Sequence, residues 1–338
     1  REFRSDGIHL SFKALSNTSG EVELHRGATV AVDAGGSITL TGNRSVAVAG
    51  TLTAPGGSIT LDQDMPRAVD TRDGDNYTGA SVFVAPTARL DVSGSFVAKP
   101  DLPYVDGTVF DGGDITLAAR RGYLVIQDGA ELRADGSSAV LRQRDGNSLV
   151  DTRIDSNGGH IALSAREGLY VDPLLSAKAG GSAAAGGSLS VRLAQEGFSW
   201  LDLQSLPAAL SGPRVLDITQ AGVSGSAAFS AGVAPDAARY AGHGAFALNR
   251  LAGSGIVDLE LGAVGATSQG AVRFAGDVTQ TLAGRLDIDA ANLLGASGAD
   301  VTLRAAVIDW HNLGRDQKDH AQATSVAPGD GTLDLRAD

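Results

Sequence analysis

The sequence predicts an all-β fold, a right-handed parallel β-helix (β-solenoid) with loop insertions outside the helix, from three observations. The hexapeptide GGSITL occurs at 35–40 and returns 21 residues later at 56–61. Three variants follow it, GGDITL at 112–117, GGHIAL at 158–163 and GGSLSV at 186–191. Short segments of alternating apolar and polar residues lie between the copies, and glycine supplies 45 of the 338 residues. Recurring strand-like units separated by tight turns are typical of a solenoid.

One complete period shows how the chain would form a coil. After the first hexapeptide come SVAV at 45–48 and TLTA at 51–54. Apolar residues at every second position place their side chains on one face of a strand. Glycine and asparagine between the segments allow the backbone to turn sharply. Three strands and three corners therefore make one coil, and we expect Thr39, Thr60 and Thr116 to stack on an outer face.

The repeat divides the chain into two regions. Residues 1–191 hold the regular coils and three insertions, which are rich in Asp, Arg, Gly and Pro and lack alternation. The insertions lie at about 62–80, 93–111 and 136–157. We expect them to be loops that stand off the shaft. From 192 to 338 the hexapeptide fades while the alternation continues, which predicts a more divergent continuation of the β-helix with a short helix near 234–241.

Composition excludes several classes of function. The net charge of −12 and the presence of only four lysines leave no basic surface for a phosphate backbone, so we expect no nucleic-acid partner. The absence of cysteine excludes disulfides and cysteine-ligated metals. None of the six histidines has a recognised metal-ligand spacing, and His243, between two glycines, is interpreted as an exposed turn residue. No nucleophile motif is present, and we assign no catalytic residue.

Several features of the coils belong to one pattern. The coils are glycine-rich, cysteine-free and lysine-poor, and they diverge into GRLDIDA at 284–290 and ADVTLRAAVIDWHNLG at 299–314. In this they resemble the filamentous-haemagglutinin-like large exoproteins of Gram-negative two-partner secretion. The Asn-Pro-rich motifs of that family's secretion domain are not found here, so the resemblance implies a downstream part of a longer exoprotein.

The resemblance also implies a function and a location. It implies a non-catalytic adhesin or structural shaft that mediates adhesion, aggregation or biofilm contact. Such a protein is secreted or held at the surface of a Gram-negative bacterium, after export through an outer-membrane pore partner. Uncovered solenoid ends present unpaired strand edges, which predicts self-association end to end or laterally.

Aromatic residues in the insertions are the candidates for contact with a partner. Aromatics make up only 5% of the chain, yet Tyr77 stands in the 62–80 insertion, and Tyr104 and Phe110 stand in the 93–111 insertion. Aromatic rings stack on sugars and anchor protein interfaces. We therefore predict that these three residues contact a host or bacterial surface glycan or protein. The alternative interpretation is that Tyr104 and Phe110 fix their loop to the shaft.

The first insertion also supplies many oxygen ligands. Its segment DTRDGDN at 70–76 contains Asp70, Asp73 and Asp75, and carboxylate oxygens are ligands that calcium prefers. The spacing is not that of an EF-hand, and the alternative interpretation is a hydrophilic exposed loop. Calcium at these three residues is the one metal that the sequence suggests, and we expect no other cofactor.

A β-helical polysaccharide lyase or hydrolase is the alternative function. Such enzymes act through carboxylates and basic residues that project from stacked strands. Carboxylates that stand between apolar neighbours, and so point outward, are Asp91, Glu131, Asp217, Asp258, Asp287 and Asp309. An enzyme requires at least two converging carboxylates or basic groups in a groove, an adhesin requires contact residues on loops without such a cluster, and a passive stalk has neither. A carrier of a toxic domain that lies outside this sequence is a further class.

Overall fold

The chain folds as a parallel β-helix, as the sequence predicts. The computed structural model describes residues 7–15, 19–64, 80–100, 102–145, 148–194, 214–223, 226–231, 233, 237–265, 270–312 and 331–337. Within these residues the strands form long parallel sheets that run along the stack of coils. No helix in the described ranges has both the length and the apolar character needed to cross a membrane.

Sheet A carries the hexapeptide copies and forms one side of the stack. Strands are numbered in chain order. In spatial order its nine strands are β1 (His9–Ala14), β4 (Ser37–Gly42), β7 (Ser58–Gln63), β12 (Asp114–Ala119), β17 (His160–Ala165), β20 (Ser188–Ala194), β23 (Asp258–Val264), β26 (Arg285–Ala290) and β29 (Val307–His311). Every neighbouring pair is parallel, because each strand pairs with its equivalent in the next coil.

Three more sheets complete the coils. Sheet B contains β2 (Glu21–Leu24), β5 (Ser45–Val48), β8 (Ser81–Val84), β13 (Tyr123–Ile126), β18 (Gly168–Val171), β22 (His243–Ala247), β21 (Arg214–Thr219), β24 (Gly270–Phe274) and β27 (Asn292–Gly295). Sheet C contains β19 (Leu174–Ser176), β14 (Glu131–Arg133), β9 (Arg89–Asp91), β6 (Thr51–Thr53) and β3 (Thr29–Ala31). Sheet D contains β25 (Val278–Thr281), β28 (Asp300–Ala305) and β30 (Thr332–Ala337).

The hexapeptide copies stack in exact register with one another. Ile38 pairs with Ile59, and the outward threonines Thr39, Thr60 and Thr116 form a continuous row, which confirms the predicted stack. The inward isoleucines and leucines of all copies belong to one continuous core of aliphatic side chains. Burial of this apolar surface is the main force that holds the coils together.

Two of the three insertions form two-stranded sheets of their own outside the coil sheets, and each is a β-hairpin where an irregular loop was expected. In the 93–111 insertion, β10 (Phe96–Ala98) pairs with β11 (Gly107–Val109) to form the first hairpin. In the 136–157 insertion, β15 (Ser138–Asp145) pairs with β16 (Ser148–Asp155) to form the second. In the second hairpin Arg142 binds Asp151 on the opposite strand through two hydrogen bonds of 2.8 and 3.2 Å. Alternation is missing from its sequence because both faces of this hairpin are largely exposed. In the 62–80 insertion, residues 65–79 lie outside the described ranges.

The chain order of sheet B changes once. Strand β22 lies between β18 and β21, so the chain leaves β21, passes over the outer face of sheet B and returns next to β18. The passage contains a 3₁₀ turn (Ser226–Ala228) and one helical turn, α1 (Ala237–Tyr240), at the predicted helix position. A second 3₁₀ helix (Leu248–Leu251) follows β22.

Aromatic packing attaches this passage to sheet B. The ring centroid of Phe229 lies 5.0 Å from that of Tyr170, 4.8 Å from that of Tyr240 and 5.9 Å from that of Tyr123. Tyr170 and Tyr240 meet edge to face at 5.4 Å. Such ring contacts add to the burial of their large apolar area. Four of the few aromatic rings in this chain are therefore used in one internal packing contact.

Candidate functional site

An open groove of about 760 Å³ lies on the outer face of sheet A. Its lining comes from β17, β20, β23 and β26 and from the end of β29. Five neighbouring strands span four inter-strand spacings, roughly 19 Å. The walls are rigid, because each strand is hydrogen-bonded on both sides except the outermost one. The groove is therefore a straight, preformed surface along the stack.

Strand register aligns polar side chains across the groove. Glu260 lies opposite Asp287, and Asp287 lies opposite Asp309, in one outward row. Asp289 lies opposite His311 in the next row. Because neighbouring strands are about 4.8 Å apart, carboxylates from three strands come together although they are distant in sequence.

Arg192 connects three strands of the groove. Its guanidinium binds Glu260 on β23 and donates to Oδ2 of Asp289 on β26 at 2.9 Å. Asp289 is almost fully buried, with 2% exposure, so this arginine is needed to balance its charge. The cross-strand pairs fix the side chains on this part of the groove.

Arg285 organises the other carboxylates. Its Nη2 lies 2.6 Å from Oδ2 of Asp309 and 3.1 Å from Oδ2 of Asp287. Its backbone N–H donates to Oδ1 of Asp258 at 2.6 Å. The guanidinium thus takes one oxygen of Asp287 and one of Asp309.

His311 lies beside the remaining oxygens of the same pair. Its Nδ1 is 3.5 Å from Oδ1 of Asp287 and 3.9 Å from Oδ1 of Asp309. Asp287, Asp309 and His311 are the one group of described side chains whose ligand atoms converge closely enough to hold a metal, all within 4.8 Å. This end of the groove is therefore its most concentrated set of polar atoms.

The opposite end of the groove holds a histidine and a serine. Nδ1 of His160 and Oγ of Ser188 are 2.8 Å apart. The same contact recurs between His9 and Ser37, also at 2.8 Å, at strands outside the groove. Repetition of the pair in one row indicates a stacking contact between strands, and we assign no nucleophile to Ser188.

His243 lies at a second, smaller cavity on sheet B. The cavity has a volume of about 260 Å³ and lies beside Tyr170, Tyr240 and Asp217. Loss of solvent lowers the pKa of His243, and Asp217 opposes this shift. Burial raises the pKa of the Tyr170 hydroxyl, because loss of solvent disfavours its charged form, as it disfavours that of His243. His243 begins strand β22, so its interpretation as a turn residue is wrong.

The two sequence-predicted contact residues that the structure describes, Tyr104 and Phe110, do not line the groove. Phe110 lies against the corner glycines Gly35 and Gly56. Its carbonyl oxygen accepts hydrogen bonds from the hydroxyls of Ser137 and Ser156 at 2.9 and 2.8 Å. Phe110 thus fixes its hairpin to the shaft, which is the alternative interpretation of this residue.

Among the other predicted site residues the structure describes Tyr104 alone. Tyr104 is half-buried between β10 and β11 and does not line the groove. Tyr77, Asp70, Asp73 and Asp75 lie outside the described residues, so the predictions for a contact and for calcium at these positions stay predictions.

Half of the predicted outward carboxylates come together. Asp258, Asp287 and Asp309 all lie in or beside the groove. The other three lie on different strands with partners of their own. Asp217 binds Arg273, Glu131 binds Arg89, and Asp91 accepts from the backbone of Ser93.

Sequence reasoning missed the rest of the groove. The missed side chains are Arg192, Glu260, Arg285, Asp289 and His311. Their signal is a run of polar residues at alternate positions, complete on β26 (Arg285, Asp287 and Asp289) and partial on β23 and β29. Converging carboxylates in a groove are present, as expected of an enzyme, and the absence of such a cluster that was expected of an adhesin does not hold.

Comparisons with known proteins give this chain no relative. No family model matches it, and neither a curated protein nor a solved structure does. What the groove can do follows from its own side chains and charges.

Proposed function

We propose that this chain is a secreted or cell-surface β-helical protein that binds a surface glycan in the groove of sheet A without cleaving it. The observation that carries the proposal is the straight groove, whose strands present hydrogen-bonding side chains at a regular spacing of about 4.8 Å. A linear polymer of hydroxyl-bearing units can meet such a row repeatedly. Fixed charged groups make strong hydrogen bonds to hydroxyls because their own positions need no further ordering.

The charge of the groove selects the class of glycan. Four carboxylates and two arginines line it, which leaves two excess negative charges with neutral histidines. Acidic polysaccharides are therefore repelled, whereas neutral or amino-bearing glycans are accepted. The ligand class that fits best is a neutral or amino-bearing polysaccharide of a host or bacterial surface.

Ion pairing favours binding over catalysis as the main role. Glu260 and Asp289 are engaged by Arg192, and Asp287 and Asp309 are engaged by Arg285. Carboxylates held in this way accept hydrogen bonds from a ligand, whereas a glycosidase needs one carboxyl group that carries a proton. The proposed role is adhesion, aggregation or biofilm contact, in an exoprotein resembling filamentous haemagglutinin that is exported through an outer-membrane pore partner.

The test is a binding assay with neutral, amino-bearing and uronate-containing polysaccharides, in which newly formed chain ends are counted in the same wells. We expect retention of a neutral or amino-bearing polymer and no new ends. Glu260→Ala should weaken binding roughly tenfold or more, because a hydrogen bond to a charged group contributes about 1.5–3 kcal/mol. Thr60→Ala is the matched control, since Thr60 points outward from the same sheet but lies outside the groove.

Two results would contradict the proposal. One is binding that is equal in wild type and Glu260→Ala, which would move the contact away from the groove. The other is a preference for uronate polymers, which would remove the argument from charge.

Cleavage of the polysaccharide is the second candidate function, and the converging carboxylates favour it. Oxygens of Asp287 and Asp309 lie within 4.8 Å of each other, a close approach that suits the retaining glycosidases, whose two carboxyl groups lie about 5–5.5 Å apart. New chain ends in the assay, lost in Asp287→Asn, would establish cleavage in place of simple binding.

A further inference from the structure

We propose that Asp287, Asp309 and His311 bind one divalent transition-metal ion at the β29 end of the groove. The three ligand atoms come from two neighbouring strands and lie within 4.8 Å of one another. The set is mixed, with one imidazole nitrogen and two carboxylate oxygens. The inference does not depend on glycan binding.

The distances within the set match coordination better than hydrogen bonding. Nδ1 of His311 lies 3.5 and 3.9 Å from the two Oδ1 atoms, which is too long for a side-chain hydrogen bond. Ligand atoms around a tetrahedral ion with bonds of about 2.1 Å are roughly 3.4 Å apart. The two separations from Nδ1, 3.5 and 3.9 Å, are close to this value, and small rotations of partly exposed side chains would bring the three atoms around one ion.

The orientation of the carboxylates supports the same site. Arg285 takes Oδ2 of Asp287 and Oδ2 of Asp309, so both Oδ1 atoms are turned toward His311. Partners that hold the far side of a ligand are the usual means of fixing a metal site. Arg285 is thus a positioning residue for the two carboxylates.

The surroundings leave room for further ligands. Asp287 and His311 line the open groove, and the side chains are only partly buried, with 23% exposure for each. Three protein ligands with an open side are typical of sites that also hold water or a substrate oxygen. An ion here could contact a bound hydroxyl-bearing ligand directly.

The donor types indicate the kind of ion. Imidazole suits zinc, copper, iron and nickel, whereas calcium takes six to eight oxygen ligands. A set with one nitrogen and two oxygens therefore favours a first-row transition ion, and Zn²⁺ is the probe for it. This site is separate from the calcium site that the sequence suggests at 70–76.

Titration calorimetry of the tag-free chain with Zn²⁺ tests the proposal. We expect one ion per chain in the wild type and binding at least tenfold weaker in His311→Ala and in Asp309→Asn. His25→Ala is the matched control, because Nε2 of His25 lies 3.5 Å from a single carboxylate, that of Glu23. This variant should bind as tightly as the wild type.

A second readout separates metal binding from damage to the fold. Co²⁺ bound by one nitrogen and two oxygens should give a visible absorption band that saturates at one equivalent and disappears in His311→Ala. Circular dichroism should be the same for all variants without metal. Absence of saturable binding of Zn²⁺ and Co²⁺ to the wild type, or equal binding by His311→Ala, would overturn the proposal.

Discussion

Glu167→Gln is expected to reduce the free energy of unfolding by about 3–5 kcal/mol, because it removes one partner of a buried ion pair. Glu167 is fully buried, and its Oε1 accepts a hydrogen bond of 3.0 Å from Nε of Arg121, which has 2% exposure. Its Oε2 accepts from the backbone N–H of Gly122. The carboxylate therefore joins a buried guanidinium to the corner between β12 and β13.

The carboxylate of Glu167 also balances the charge of two further buried arginines, Arg166 and Arg214. Nε of Arg166 lies 3.7 Å from Oε1 of Glu167. Arg214 is fully buried, and its Nε donates to the backbone carbonyl oxygen of Arg166 at 2.7 Å. Burial lowers the pKa of Arg214, while the charge of Glu167 opposes that shift. Neutral glutamine has nearly the same shape but leaves three buried guanidinium groups without this negative charge.

Urea unfolding monitored by circular dichroism measures the effect. The control is Asp151→Asn, which breaks the exposed pair with Arg142 on the β15–β16 hairpin and should leave the midpoint unchanged. A midpoint for Glu167→Gln equal to that of the control would show that the buried cluster does not depend on Glu167.

The fold could be predicted because the repeat states it directly. Identical residues recur at the positions that pair between coils, as with Ile38 and Ile59, and their alternation marks the inward face. Even the row of Thr39, Thr60 and Thr116 follows from aligning the copies.

The candidate site could not be predicted, because it depends on the length of each coil. Glu260, Asp287 and Asp309 are 27 and 22 residues apart along the chain, yet they are neighbours across strands. Insertions of different length conceal which residues come into register. In sheet B, β22 lies before β21 in spatial order although it follows β21 in the chain. No local sequence pattern indicates this, because the segment between the two strands packs on the sheet through the ring of Phe229.

Glycine is required at the start of each hexapeptide for a steric reason, and not only because the corner must be flexible. A Cβ atom on Gly57, Gly113, Gly159 or Gly187 would lie well under 3.0 Å from the carbonyl oxygen of the equivalent glycine in the preceding copy. The corners of neighbouring coils are stacked backbone against backbone, and no side chain fits between them.

Gly113→Ala is therefore expected to lower the free energy of unfolding by about 3 kcal/mol, at the upper end of the cost of overpacking. The added methyl group meets the carbonyl oxygen of Gly57, and that oxygen accepts the backbone hydrogen bond of Asp114 at 2.9 Å, so it cannot move without losing the bond. Gly295→Ala is the matched control, because no atom lies within 4 Å of its added Cβ, and it should change stability by no more than about 0.5 kcal/mol. Equal urea midpoints for the two variants would contradict close backbone stacking as the reason for the repeated glycines.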